Sequence, residues 1–181
     1  FDHAFTTLYQ WHDATKVYSR KKVLDISDFQ KSFGVFCFLS YYKQKYQFSK
    51  TEVINFISKS SKICGIEAKP EDILLDYEES VNLLRQEGVN YVFIHRSFQE
   101  YFCAYSLMFI FPDKFRELLP QIASRTTDKV LSLCFEMNKS TVVTEYIDIK
   151  YKDVIKLMTK HERMNVRFPF LSMLDVKLIY S

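Results

Sequence analysis

The sequence predicts a mainly α chain: a helical region with one small β-hairpin over residues 1–111, then a helical extension over residues 112–181. Three observations predict it. Only three glycines and four prolines interrupt 181 residues, a scarcity that favours helices. Apolar side chains recur every three or four positions along most of the chain. Three such helical patterns run directly into a glycine-containing hairpin pattern, which is the outline of a winged-helix domain.

The elements follow in order. Residues 1–18 are expected to form a helix with Phe1, Phe5, Leu8 and Tyr9 on one face. A second helix is expected over 28–43, where Phe29, Phe33, Phe36 and Leu39 repeat at helical spacing. Asp28 is its expected cap, and Gly34 weakens the pattern from inside. A short extended piece at 46–48 leads to Ser49-Lys50-Thr51-Glu52, a capping box. The helix it opens turns Val53, Ile54, Ile57 and Cys64 inward and stops at Gly65. Pro70, followed by Glu71 and Asp72, suits the start of a third helix over 70–82, with Ile73, Leu74, Tyr77 and Val81 on its apolar face.

Residues 83–86 and 90–94 are the expected hairpin arms around Glu87-Gly88. Ser97-Phe98-Gln99-Glu100 reads as a second capping box, opening a helix that ends at Pro112. Beyond it, helices are expected over 113–124, with Pro120 as a kink or break, and over 128–147 and 151–161. Their expected core positions are Val130, Leu131, Cys134, Met137, Val154 and Leu157.

Composition excludes several functions. Gly34, Gly65 and Gly88 lie more than twenty residues apart, so neither GxGxxG nor GxxxxGK[ST] is present. The chain owns no phosphate loop, because such a loop needs clustered glycines to aim consecutive N–H groups at the anion. A net charge of +3 is compatible with most partners. Cys37, Cys64, Cys103 and Cys134 are widely spaced within apolar runs, as expected of reduced core residues in a cytoplasmic protein. They make no metal spacing with the four histidines, so no metal site is expected. No apolar run reaches the ~18 residues of a membrane span. Starting at Phe1 in mid-pattern without an initiator Met, the chain is expected to be part of something longer.

The chemically informative stretch is Tyr91-Val92-Phe93-Ile94-His95-Arg96-Ser97-Phe98-Gln99-Glu100-Tyr101-Phe102-Cys103-Ala104. A strand ending near His95 and a helix beginning near Ser97 place the imidazole beside unpaired N–H groups and the positive end of a helix. There it can donate to a phosphate oxygen, with the Arg96 charge next door. The alternative is a histidine bonded to backbone where strand meets helix. Glu100 is explained by the capping box. A capping Ser97 has its hydroxyl committed to the helix N–H groups, which argues against a Ser97 nucleophile and leaves no catalytic residue.

This stretch resembles the FxHxSFQEFFAA signature that closes the winged-helix region of NACHT proteins, signal-transducing ATPases of the STAND class. His12-Asp13-Ala14-Thr15-Lys16 with Arg20, then Asp28-Phe29 and Phe36-Cys37-Phe38-Leu39-Ser40-Tyr41, resemble the segment before and within the winged helix of bacterial members. The resemblance covers residues 1–111. It implies that His95 touches the β-phosphate of ADP in the resting state of a nucleotide-controlled switch; Arg96 is a further candidate contact through its neighbouring charge. It also implies that an upstream NTPase domain supplies the P-loop and the Mg²⁺ ligands, and that the protein oligomerises on activation, in antiviral defence. By itself the chain is then not an enzyme.

Two other readings stand beside it. A DNA-binding winged helix would present its third helix to the major groove, yet this one carries Glu71, Asp72, Asp76, Glu78 and Glu79 and no Lys or Arg. A protein-interaction module without nucleotide contact is the other.

Overall fold

The computed structural model describes residues 22–80, 82–123 and 129–162. The helix expected over 1–18, with His12 and Asp13, lies outside the described residues. Within them the chain is mainly helical, with one small antiparallel sheet.

Helix α1 (Ile26–Tyr42) starts two residues before the expected 28. Asp25, rather than Asp28, is its cap: the Asp25 carboxylate accepts the Asp28 N–H at 2.8 Å. Asp25 has the extended backbone a cap requires, and Asp28 then occupies the first turn, where its charge faces the positive helix end. Strand β1 (Gln47–Ser49) follows. Helix α2 (Lys50–Cys64) opens with the expected Ser49–Glu52 capping box and closes at Gly65, whose φ of +70° is the left-handed geometry glycine adopts at low cost.

Helix α3 (Pro70–Leu75) begins with proline at its first position and continues as a π-turn over Asp76–Ser80. It does not run to 82: Asn82 has a φ of +51°, outside any right-handed helix, and the Leu83 N–H returns to the Tyr77 carbonyl. Strands β2 (Leu84–Glu87) and β3 (Asn90–Phe93) form the expected hairpin, with Glu87 paired to Asn90 across Gly88-Val89. Gly88 takes φ +62° at the first turn position, as a two-residue hairpin turn requires. The sheet order is β1-β3-β2; Phe48 pairs with Tyr91 and both side chains are buried.

Helix α4 (Arg96–Tyr105) leads through a π-turn (Ser106–Ile110) to a short 3₁₀ turn (Pro112–Lys114). Helix α5 (Phe115–Ala123) then continues through Pro120 without breaking. The single helix expected over 128–147 is divided. Helix α6 (Val130–Met137) stops at Asn138, whose extended backbone and side-chain bond to the Thr141 N–H start helix α7 (Lys139–Val142). A π-turn (Val143–Ile147) joins α7 to α8 (Asp148–Glu162). Val130 and Cys134 are buried as expected, Leu131, Met137 and Val154 are half-buried, and Leu157 is exposed.

The core is aromatic. Phe29, Phe33 and Phe36 are fully buried on one face of α1, with Phe33 edge-on to Tyr77 at 4.8 Å and to Phe102 at 5.0 Å. Such edge-to-face pairs add to the stabilisation from burial itself. The Tyr77 hydroxyl shares a 2.6 Å hydrogen bond with Ser32, which answers the polar demand of a phenol inside this cluster. A second buried cluster joins Phe38 and Tyr41 of α1 and Cys103 and Leu107 to Phe115, Leu119, Val130 and Cys134, so residues on both sides of Phe111 share it.

Candidate functional site

The site is built where β3 meets α4. The Ile94 N–H donates to the Leu83 carbonyl, the last bond of the hairpin. His95 is extended (φ −135°, ψ 130°) and is the N-cap of α4; its carbonyl accepts the Phe98 N–H at 3.0 Å. Its side chain makes no capping bond and is exposed, resting 6.1 Å from the Phe98 ring. The N–H groups of Arg96 and Ser97 belong to the first turn and have no carbonyl within the helix to pair with. An exposed imidazole beside such groups is chemically able to bind an anion.

The helix therefore begins before Ser97, and the expected Ser97–Glu100 box is not formed. Ser97 sits at the second helical position, and Glu100 lies 3.4 Å from Arg96 Nε, its partner one turn back on the same face. The objection to a Ser97 nucleophile cannot rest on a capping hydroxyl. It rests instead on the contacts: His95 has extended backbone outside the helix, and no hydrogen bond joins its ring to the Ser97 hydroxyl.

Arg96 is engaged within the protein. Its guanidinium lies 4.5 Å from the centre of the Tyr46 ring, and Nη2 is 3.4 Å from the Tyr46 hydroxyl. The Arg96 side chain is 52% exposed and that of Glu100 only 9%, so the pair joins an exposed guanidinium to a buried carboxylate.

Sequence reasoning missed two contributors. Tyr46 comes from the α1–β1 connection, fifty residues away, and no local pattern announces it. Gln99 is fully buried one turn inside α4. Its Nε2 donates to Ser40 Oγ at 2.8 Å and to the Lys45 carbonyl at 2.9 Å, while Oε1 has no partner. A glutamine among Phe98, Tyr101 and Phe102 on a buried helix was the available signal.

The acidic third helix also needs one correction. Asp76 is buried and accepts the N–H groups of Val23 and Leu24 at 2.9 and 3.0 Å, so it does not face solvent with the others. Glu71 and Glu79 are exposed and Asp72 and Glu78 half-buried. Partial burial, and then the neighbouring Glu79 charge, push the Glu78 carboxyl upward. Among the described residues, no three His, Cys, Asp or Glu side chains group as a metal site, and no helix is long and apolar enough to cross a membrane.

No protein-family model, curated protein or solved structure matches this chain.

Proposed function

We propose that the chain is the regulatory winged-helix segment of a NACHT-type signal-transducing ATPase, in which His95 contacts a phosphate of ADP and holds the resting state. The observation that carries this reading is the exposed His95 side chain, free of any capping bond, at the N-terminus of the ten-residue α4. Three helices followed by a β-hairpin support the winged-helix assignment. The P-loop and Mg²⁺ ligands belong to an upstream domain of the same cytoplasmic protein. The nucleotide supplies the phosphate charge; His95 supplies an imidazole donor, and the first turn of α4 supplies N–H groups and a positive dipole.

ADP favours the closed state only through contacts that the open state lacks, and His95 is such a contact. Its loss releases nucleotide, raises basal signalling and promotes oligomerisation. Arg96, whose guanidinium is half-exposed beside His95, is the further phosphate contact. The chain itself carries out no catalysis. DNA binding through α3 is disfavoured by its surface carboxylates and its lack of Lys and Arg.

The test is the nucleotide content and mass of the intact protein as purified. ADP near one equivalent on a monomer, with larger assemblies after exchange to ATP, is expected. A nucleotide-free protein of constant mass, or a salt-sensitive gel shift of duplex DNA, would replace this reading with a scaffold or a DNA-binding module.

A further inference from the structure

We propose that Gln99 is the positioning residue of the His95 site, an inference that rests on the nucleotide reading above. Gln99 lies on α4 one turn after His95, and its carboxamide makes two donated bonds to a different part of the chain: the Ser40 hydroxyl near the end of α1 and the Lys45 carbonyl in the α1–β1 connection. Ser40 in turn donates to the Cys37 carbonyl, and the Lys45 N–H returns to the Ser40 carbonyl. The Lys45 ammonium is held 2.6 Å from Glu52. Gln99 therefore ties the first turns of α4 to a connection that is itself fixed at both ends.

The amide orientation follows from its partners. The Lys45 carbonyl is an acceptor only, so Nε2 must face it, and Oε1 is left buried without a partner. A residue serving packing alone would be better replaced by an apolar side chain of similar volume, with no orphan acceptor. What the glutamine adds is direction. Two bonds to fixed oxygens restrict the rotation and slide of α4, and with them the place of His95 and of the N–H groups beside it. Arg96 over Tyr46 is a second tie between the same helix end and the same connection.

The test uses the intact protein with its upstream domain and fluorescently labelled ADP as the probe. Dissociation rates are compared for the parent, Gln99→Met, His95→Ala and the double variant. Gln99→Met is expected to speed release by about fivefold, no more than His95→Ala does, when His95 is present and to add little in the His95→Ala background, the non-additivity of two groups acting as one. Equal acceleration in both backgrounds would mean a general structural role and overturn the proposal. So would release unchanged by Gln99→Met while His95→Ala accelerates it, a result that leaves the nucleotide reading standing. If His95→Ala has no effect, the reading and the proposal fall together. Should Gln99→Met not fold, Ser40→Ala removes one of the two acceptors; a smaller acceleration, again confined to the His95 background, is expected, and no acceleration overturns the proposal.

Discussion

A β-carbon at Gly34 would lie 2.7 Å from the Ser106 hydroxyl oxygen and 3.2 Å from the Ile110 side chain. This glycine, which weakens the helical pattern of α1, is what lets α1 approach the π-turn after α4. Gly34→Ala gains about 1 kcal/mol in helix propensity. Overpacking a closed interface costs about 1–3 kcal/mol. Because a β-carbon would meet both the fully buried Ser106 and the Ile110 side chain, the cost prevails. Gly34→Ala is expected to lower stability in urea by about 1 kcal/mol; a gain would show that the two elements separate freely.

Asp76 holds the segment entering α1. Hydrogen bonds to a charged group are worth about 1.5–3 kcal/mol each, and removing the acceptor leaves the Val23 and Leu24 N–H groups without it. Asp76→Ala is expected to cost about 2–3 kcal/mol. Amide hydrogen exchange at Val23 and Leu24 should accelerate more than exchange at Phe33. Uniform acceleration throughout would mean that Asp76 acts on global stability alone.

The Lys45 ammonium, bonded to Glu52, and the Ser49 N–H lower the Glu52 carboxyl from 4.5 to about 2. A carboxyl lowered in the folded state stabilises fully above its unfolded value and loses that contribution as pH falls through its folded value. The window is therefore from about pH 4.5 down to about 2. Glu52→Gln should flatten this part of the stability profile, and the Glu52 carboxyl resonance should titrate well below the usual glutamate range. Coincident wild-type and variant profiles below pH 4.5 would contradict the assignment.

Legibility followed the range of the interactions. Ser49–Glu52, Gly65 and the Gly88 turn were readable because cap and turn chemistry lies within four residues. The start of α4 was misplaced because Ser97 and Glu100 have the spacing of a box, and only the fold shows β3 feeding the helix at His95 and Glu100 turned to Arg96. Asn138 was missed because helical periodicity continues on both sides of it. The place of His95 between β3 and α4 was readable from local pattern. Tyr46 and the partners of Gln99 were not, since tertiary packing alone brings residues 40–46 against 96–99.

The proposal that His95 holds ADP stands or falls on the dissociation rate of ADP from the intact protein with and without this imidazole. His95→Ala should release ADP at least about fivefold faster, corresponding to the loss of one contact that favours the closed state, while the helical circular-dichroism signal and thermal midpoint of the variant stay those of the parent. An unchanged release rate in a folded His95→Ala protein would contradict the account.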